Sequence, residues 1–316
     1  MAVTGQGTQE SPYLVRSRDE IEEAFQLSRQ SAVSGTKYVK LVKNIDGKWA
    51  QWQAIDFKNV SGNNIDFDFD NHEIANYYSE EIMFYMNESG DTFRNGRIYN
   101  IVSQNRYYVF IGGIKLVKMS ISSKIYEQTG NSVLLYNEYS KCAVRLDIET
   151  FNPLLTEFDQ RIVSFAGLNP NVPGSEYQSD TTDWMINIDN LNSTKFCVFD
   201  SGSGNQVIGE NNRIRGKIGR ITNDTITNYP AIADSPVAFE NSVFSYEMPS
   251  FSGTVSSGQP TTIIGTGSTG IINSTLIHEL TYANYTMLNL TPETDTDMHN
   301  ADELTEDGFP VYVVNP

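Results

Sequence analysis

Short stretches of alternating apolar and polar residues fill most of the chain, and a two-residue period predicts strands. Turns rich in Asn, Gly and Ser separate these stretches. The stretches begin roughly 20 to 35 residues apart. That spacing, without helices in between, indicates a solenoid whose every turn adds a strand to a parallel sheet. The predicted strands are residues 65–69, 93–101, 117–125, 142–148, 162–165, 184–191, 214–221, 243–248 and 276–282.

We therefore predict an all-β fold, a right-handed parallel β-helix with a short N-terminal capping helix. Asparagine is frequent where the stretches begin, and it tolerates the left-handed backbone that a corner requires. An antiparallel β-sandwich, or a composite of two β domains, uses such corners too and is the alternative fold. The predicted corner residues are Asn63, Asn64, Asn95, Asn211, Asn212, Asn241 and Asn273.

One helix is predicted near the start of the chain. Ser17 and Glu20 have the spacing of a capping box, in which Ser17 accepts a backbone hydrogen bond and Glu20 reaches back to the Ser17 backbone. Strands are predicted to follow at 37–42 and 49–57, with a turn at Gly47 between them. The apolar face of the helix comprises Ile21, Ala24, Phe25 and either Leu27 or Ser28.

The chain divides into three segments in this interpretation. Residues 1–36 carry the capping helix, residues 37–290 form the β-helix, and residues 291–316 are an acidic segment that docks by its last apolar residues. Open strand edges recruit partners, so we expect the helix to cover one end of the coil and the segment 309–314 to cover the other. Loops that leave the coil are predicted at 168–182, 200–212 and 249–270.

The charge balance narrows the class of partner. Lys and Arg total 22 against 39 Asp and Glu, a net charge of −17, which opposes contact with nucleic acid or anionic membranes. Hydrophobic residues make up 39% of the chain, enough for a packed core. No apolar stretch is long enough to span a bilayer, and the first residues do not resemble a secretory signal. We expect a soluble protein that binds no nucleic acid and does not insert into membranes.

The strongest carboxylate cluster lies in the predicted strand 65–69. Alternation places Asp66 and Asp68, with Asp70 beyond them, on one face while Phe67 and Phe69 enter the core. Three carboxylates on one face could hold Ca²⁺, and two could act as acid and nucleophile in glycoside cleavage. A solvated face is the simplest interpretation, so the cluster remains a candidate for both chemistries.

A second carboxylate pair, Asp147 with Glu149, has the same alternating geometry. A third group, Asp183, Asn187 and Asp189, shares one face of the strand 184–191. Solvated faces are again the simplest interpretation, with a glycoside hydrolase or lyase as the enzymatic alternative.

The sequence contains no motif for metal binding, nucleophilic catalysis or nucleotide binding. The three histidines, His72, His278 and His299, are scattered without zinc-ligand spacing. No nucleophile elbow or phosphate loop occurs, and we expect no cofactor. Cys142 and Cys197 are interpreted as buried thiols, and a single disulfide is the alternative.

Tyrosine groups have three open interpretations. Rigid amphipathic rings fill β structure, anchor subunit interfaces or stack on sugars. The candidates for interface or glycan contact are Tyr77, Tyr78, Tyr107, Tyr108, Tyr282 and Tyr285.

The two ends of the chain resemble those of a group of virion proteins. Residues 5–15, GQGTQESPYLV, resemble the G-T-x-x-x-P-Y-x-V openings that precede β-helices in virion proteins of tailed phages, especially phages of gut bacteria. Residues 300–310, NADELTEDGFP, resemble the A-D-x-L-x-x-x-G-F-P closings of the same group. Together the two signatures cover about 22 residues.

This resemblance implies a structural protein of the particle, either a capsid decoration protein or head fibre, or a tail spike or fibre component. It implies a homotrimer made in the host cytoplasm and placed on the external surface of the virion, against capsid or tail proteins and in reach of host glycans. No collagen-like stalk, long coiled coil or large apolar anchor helix precedes the predicted coil, which favours a compact protein sitting directly on a shell or tail over a tail fibre. We expect this protein to be non-enzymatic. A tail spike that cleaves or binds host polysaccharide is the main alternative, and an exported bacterial adhesin is a further one.

Overall fold

The chain folds into parallel strands joined by tight corners, as seen in a computed structural model. The structure describes residues 3–57, 59–80, 82–86, 90–103, 108–111, 113–129, 133–152, 160–165, 179–192, 196–200, 207–221, 231–233, 237–240, 242–247, 269–272 and 275–277. The helices and strands are β1 (Tyr13–Val15), α1 (Arg18–Gln30), β2 (Lys37–Leu41), β3 (Ile45–Gln51), β4 (Ile55–Asp56), β5 (Ile65–Asp68), β6 (Glu73–Tyr78), β7 (Ile82–Tyr85), β8 (Thr92–Ser103), β9 (Tyr108–Ile111), β10 (Lys115–Gln128), β11 (Leu134–Ser140), β12 (Ala143–Phe151), β13 (Gln160–Phe165), β14 (Ser179–Asp180), β15 (Asp183–Leu191), β16 (Phe196–Asp200), β17 (Val207–Glu210), β18 (Arg213–Ile221), β19 (Ala231–Ala233), β20 (Val237–Glu240), β21 (Val243–Glu247), β22 (Thr269–Ile272) and β23 (Thr275–Ile277).

The described strands stack into three faces, and most turns contribute one strand, or part of a longer strand, to each face. Face 1 runs through β1, β2, β5, the starts of β8 and β10, the end of β11, β14, β17 and β20. Face 2 runs through β3, β6, the later parts of β8 and β10, β12, β15, β18, β21 and β22. Face 3 runs through β4, β7, β9, the start of β11, β13, β16 and β19.

Pairing between successive turns is parallel throughout these three faces, so the predicted parallel β-helix is confirmed and the alternative of an antiparallel sandwich is wrong. Among the described strands, only β22 and β23 form an antiparallel pair. The predicted strand 276–282 therefore differs from the observed one. Its described part, β23, turns back on the coil instead of adding another parallel rung, and residues 278–282 lie outside the described residues.

An aliphatic ladder fills the interior behind face 2. Ile125, Ile148, Ile188 and Ile218 pair in register and are at most 1% exposed. Every second residue of these strands points inward, and in-register pairing places each isoleucine on the one in the preceding turn. Burial of such stacked side chains is the main stabilising contribution of the coil.

A polar ladder runs along the corner that precedes these strands. It comprises Cys142, Thr182, Asn212 and Ser242, all at most 2% exposed. Three of these side chains accept from the backbone N–H of the turn before: Ser242 Oγ from Asn212 at 3.0 Å, Asn212 Oδ1 from Thr182 at 3.2 Å, and Thr182 Oγ1 from Cys142 at 3.4 Å. The buried polar groups of this corner thus satisfy one another along the coil axis.

In the described turns from β5 to β18, the corner between faces 1 and 2 places one or two residues in the left-handed region. Asn95 and Asn211 confirm the prediction that asparagine serves at these corners, and Asn71, which was not predicted, does the same. Asn63, Asn64 and Asn212 are not in the left-handed region, and Asn241 and Asn273 lie outside the described residues. Other turns use Lys118, Lys141 and Thr181 at the same place, where a sequence pattern based on asparagine could not find them.

The predicted helix is present as α1. The Glu20 N–H donates to Ser17 Oγ at 3.2 Å, which confirms the predicted N-cap. Glu20 Oε2, however, accepts from the backbone N–H of Arg16 at 2.7 Å, one residue before the position that a capping box uses. Ser28 belongs to the buried face and Leu27 is 41% exposed, which settles the open choice between them.

The predicted strand 49–57 is wrong in its bounds. The structure has β3 and the two-residue strand β4, separated by a break at Trp52. Gly47 lies inside β3 rather than in a turn between strands, because Lys48 and Trp49 adopt positive φ values of 48° and 65° and form a bulge within the strand.

The described residues contain no helix with the length and apolar character needed to cross a membrane. The acidic segment 291–316, its apolar end 309–314, and most of the predicted loops 168–182 and 249–270 lie outside the described residues. The predicted loop 200–212 is wrong in its bounds, because residues 207–210 form β17 and pair with β14 and β20 on face 1.

Candidate functional site

The first carboxylate cluster has the predicted alternation. Phe67 and Phe69 are fully buried, whereas Asp66 and Asp68 point outward from β5 on face 1. Arg94, on the next turn, reaches both acids: its Nε lies 2.6 Å from Asp66 Oδ1, and Nη1 lies 3.1 Å from Asp68 Oδ2. The two carboxylates are therefore clamped by one guanidinium.

The two acids change the pKa of Arg94. Burial by itself would lower the pKa of Arg94, but the hydrogen bond to Asp66 and the charges of Asp66 and Asp68 outweigh it and raise that pKa above its usual value. A cation bound by the two acids would have to displace this guanidinium.

Asp70 differs from the other two acids because it lies in the corner after β5, with φ at 50°. Its carboxylate pairs with Lys40 Nζ at 2.9 Å, and its N–H donates to Asp68 Oδ1 at 2.9 Å. Asn95 also donates to Asp68 Oδ1, at 3.1 Å. The cluster is thus a braced surface network that includes two cations and an amide.

The second pair, Asp147 and Glu149, lies on β12 of face 2, whereas Asp66 and Asp68 lie on face 1. Asp147 accepts from Arg145 Nε at 2.7 Å and from Asn187 Nδ2 at 2.8 Å, and Glu149 is exposed. The two predicted acid pairs therefore do not converge on a shared site.

The residues of the third predicted group, Asp183, Asn187 and Asp189, also have separate environments. Asp183 accepts from Arg215 Nη2 through both carboxylate oxygens, at 2.8 and 2.7 Å. Asn187 donates to Asp147, and Asp189 is exposed. Arg215 is 5% exposed and lies two residues beyond the register partner of Asp183, just as Arg94 lies two residues beyond that of Asp66.

Sequence reasoning missed these arginines. A signal was present, because each arginine stands about one turn plus two residues after the acid that it contacts. Using that signal requires the register between turns, which is set by corner lengths that vary along the chain.

Candidate metal ligands do not gather in the described part of the chain, where no group of three or more His, Cys, Asp or Glu side chains could hold an ion. His72 lies in a corner with Nδ1 3.0 Å from Asn44 Oδ1. His278 and His299 lie outside the described residues.

Cys142 is a free, buried thiol, so the alternative of a disulfide with Cys197 is wrong. Its Sγ donates to the Leu116 carbonyl at 3.2 Å, and burial raises the pKa of the thiol to about 12. Such a thiol is an inert core group at neutral pH. Cys197 belongs to β16, and its side chain lies outside what the structure describes.

Two of the tyrosine candidates can be placed with their side chains. The half-buried Tyr77 packs edge-on against Trp52, with ring centroids 4.9 Å apart. Gly47 lies against the Tyr77 ring so closely that an added Cβ would be 2.5 Å from a ring carbon. Burial, followed by the charges of Asp46 and Asp19, raises the pKa of Tyr77.

The structure describes the other tyrosine candidates only in part. Tyr78 is half-buried at the end of β6. The backbone of Tyr108 lies in β9, and its side chain is not described. Tyr107, Tyr282 and Tyr285 lie outside the described residues.

Tyr77 lines a cleft of about 340 Å³ between the start of α1 and β3. Sequence reasoning did not find this cleft, nor the nearby Trp49, whose side chain is 56% exposed on the β3 bulge. The cleft offers cations, carboxylates and one ring edge, which suits a polar surface contact. Its lining is Arg16, Ser17, Arg18, Asp19, Lys43, Asn44, Ile45, Asp46 and Tyr77.

Comparison with known protein families, curated proteins and solved structures finds no match to this chain. The resemblance of its two ends to tailed-phage virion proteins therefore stays a prediction.

Proposed function

We propose that this protein is a non-enzymatic structural protein on the outside of a tailed-phage particle, of the capsid-decoration or head-fibre type. It acts as a homotrimer that contacts capsid or tail proteins and contributes assembly, stability or adhesion to a host surface glycan. The resemblance of residues 5–15 and 300–310 to virion proteins supports the particle, and the parallel β-helix supports the mechanical role. Stacked turns make a stiff rod with flat sides on which identical copies can pack.

The observation that carries the non-enzymatic part is the pairing of the candidate acids. Asp66 and Asp68 share Arg94, Asp147 is held by Arg145 and Asn187, and these groups lie on different faces. Glycoside cleavage needs two carboxyl groups that flank one bond, one of them carrying a proton. The outward acids instead serve as cross-turn braces.

The structural role is tested by looking for the protein in particles. We expect it in purified virions of the phage whose genome encodes it, at the outer surface by antibody labelling. The purified chain should sediment at three times 35.4 kDa. Absence from intact virions, with the protein left in the soluble lysate, would contradict the proposal.

The lack of enzymatic activity is tested with isolated host capsule and cell-wall polysaccharides. We expect no new reducing ends and no unsaturated products after prolonged incubation. Asp66→Asn and Asp147→Asn variants provide the matched controls. Turnover by the wild type that either variant abolishes would establish a glycan-cleaving enzyme instead.

A second candidate function is a spike that binds host polysaccharide. The exposed Trp49 and the Tyr77 edge, both at the N-terminal end of face 2, favour it because aromatic surfaces stack on sugar rings. A glycan array tests the binding site that this candidate requires. Binding that Trp49→Ala abolishes would favour the spike, provided that it stays intact after Tyr126→Ala, which removes an exposed tyrosine of β10.

A further inference from the structure

The cleft between the start of α1 and β3 is formed where the chain leaves β1 and where it leaves β2. These two strands pair as far as Val15 and Leu41, and the Val42 N–H still donates to the Val15 carbonyl at 3.1 Å. Arg16 and Lys43, one and two residues beyond that last pair, both line the cleft. The fold thus brings two cations, here called the cation pair, to one cleft in a chain whose net charge is −17.

The cation pair keeps free hydrogen-bond donors. Arg16 Nη1 lies 3.7 Å from Glu20 Oε2, which is longer than a hydrogen bond. That same oxygen already accepts from the Arg16 backbone N–H at 2.7 Å. The exposed Lys43 forms no hydrogen bond or ion pair with any residue that the structure describes. Like charges held side by side repel each other, so the cation pair favours an anion between its two members.

The other charged groups of the cleft are engaged with different partners. Asp46 Oδ1 accepts from the Lys48 N–H and from Asn76 Nδ2, both at 3.0 Å. Arg18 Nη1 lies 3.2 Å from Asp19 Oδ1. Neither of these two carboxylates lies within ion-pair distance of the cation pair. The positive charge that remains open to a ligand is therefore that of the cation pair.

The remaining walls of the cleft suit a sugar ring. Trp52 and Gly47 hold the Tyr77 ring in place, so the ring offers a rigid amphipathic surface beside the charges. The side chain of Asp19 is 91% exposed at the rim, where a carboxylate oxygen can accept from a hydroxyl group. The volume of about 340 Å³ is at the lower end of the range for small-molecule sites, which fits a ring rather than a folded partner.

A carboxylate suits the cation pair better than a phosphate group does. Asp19 and Asp46 both line the same cleft, and they repel a doubly charged group more strongly than a singly charged one. The same two acids gain hydrogen bonds from a ligand that also carries hydroxyl groups. A sugar that bears a carboxylate provides both kinds of group on one ring.

We propose that this cleft binds a uronic acid unit of an anionic polysaccharide, with the sugar carboxylate between Arg16 and Lys43 and the ring beside Tyr77. The inference names the class of glycan for the host-surface adhesion proposed above, and it rests on that part of the proposed function. It does not depend on a position on a virion.

The test compares acidic oligosaccharides with their neutral counterparts. Oligomers of galacturonate, glucuronate and mannuronate are titrated into the full-length protein by calorimetry, each beside the same oligomer with its carboxyl groups reduced to alcohols. We expect at least one acidic oligomer to bind, and its reduced form to bind at least about tenfold more weakly, because charge-assisted hydrogen bonds are lost. Equal affinity for both forms, or no binding of any acidic oligomer, would overturn the proposal.

Variants locate the binding. Lys43→Gln removes one charge from an exposed side chain, so the fold should stay intact, and we expect the affinity for the acidic oligomer to fall at least about tenfold. Arg16→Gln should have a similar effect. Lys217→Gln is the matched control, because it removes an exposed lysine of β18 and should keep the wild-type affinity. Wild-type affinity in Lys43→Gln, or an equal loss in Lys217→Gln, would overturn the proposal.

The outcomes separate this inference from the proposed function. A protein found on virions that binds none of the acidic oligomers keeps its structural role and loses the proposed ligand. Binding of neutral glycans that Trp49→Ala abolishes and Lys43→Gln leaves intact would support the spike and overturn the cleft. Binding that requires the cation pair, by a protein absent from virions, would support the cleft and contradict the virion role.

Discussion

The aliphatic and polar ladders are buried to the same degree and held by different chemistry. Each isoleucine of the first ladder gains from burial in any direction, and its neighbours need only fill space. Each member of the polar ladder must meet a particular backbone group of the adjacent turn, because a buried donor or acceptor without a partner is costly. The aliphatic ladder therefore supplies most of the stability, whereas the polar ladder fixes the register of successive turns.

The largest expected effect comes from placing a charge in the aliphatic ladder. Ile218→Asp leaves a carboxylate at a position 1% exposed, and we expect it to lower the free energy of unfolding by about 4 kcal/mol or more. Thermal melting followed by circular dichroism measures the loss. Lys217→Asp, on the outward side of the same strand, should change stability by less than about 0.5 kcal/mol. Equal melting temperatures for the two variants would show that Ile218 is not a core position.

Removal of Asn212 tests the polar ladder. Its Oδ1 accepts from Ser179 Oγ at 2.7 Å, and its Nδ2 donates to the Ser179 carbonyl at 2.9 Å. Asn212→Ala removes these hydrogen bonds and leaves the Ser179 groups without this partner. We therefore expect the free energy of unfolding to fall by about 3 kcal/mol in denaturant titration. Asn211→Gly is the control, because the exposed Asn211 has a φ of 55° that glycine adopts freely. A loss no larger than that of the control would mean that the polar ladder does not stabilise the coil.

The thiol at the start of the polar ladder gives a pH-dependent comparison. Burial raises the pKa of Cys142 from 9.0 to about 12. The folded state therefore holds the proton more tightly than the unfolded state. Stability should fall as pH rises from about 9 to about 12, by at most about 1.4 kcal/mol per pH unit.

Cys142→Ala isolates this contribution from other groups that titrate in the same range. The variant is less stable than the wild type at pH 8 because it leaves a cavity, and the gap should narrow as the pH rises. A gap that stays constant to high pH would contradict the assigned pKa direction.

The smallest expected effect is the loss of one methyl group from the aliphatic ladder. Ile188→Val removes a buried methyl without stranding a polar atom, so we expect about 1 kcal/mol. Comparison with Asn212→Ala then measures the difference between lost packing and lost directional bonds. A cost for Ile188→Val as large as that of Asn212→Ala would remove the distinction between the two ladders.

Sequence patterns predicted local structure well where the pattern itself is local. The alternation of Asp66 to Phe69 placed acids outside and rings inside, and Ser17 marked the start of α1. The partners of those acids were not predictable in the same way. Arg94 and Arg215 depend on contacts whose register is set by corners of varying length, and the bulge at Lys48 and Trp49 carries no sequence signature that distinguishes it from a turn.

By itself, the sequence determined that this chain would form short strands of recurring spacing, one capped helix and a core of isoleucine and aromatic residues. Period and capping act over a few neighbouring residues, so they can be detected without the fold. Only the tertiary structure decided that the acids of faces 1 and 2 are braced apart instead of gathered. That outcome depends on which residues the turns of the coil bring together, and that juxtaposition exists only once the turns are stacked.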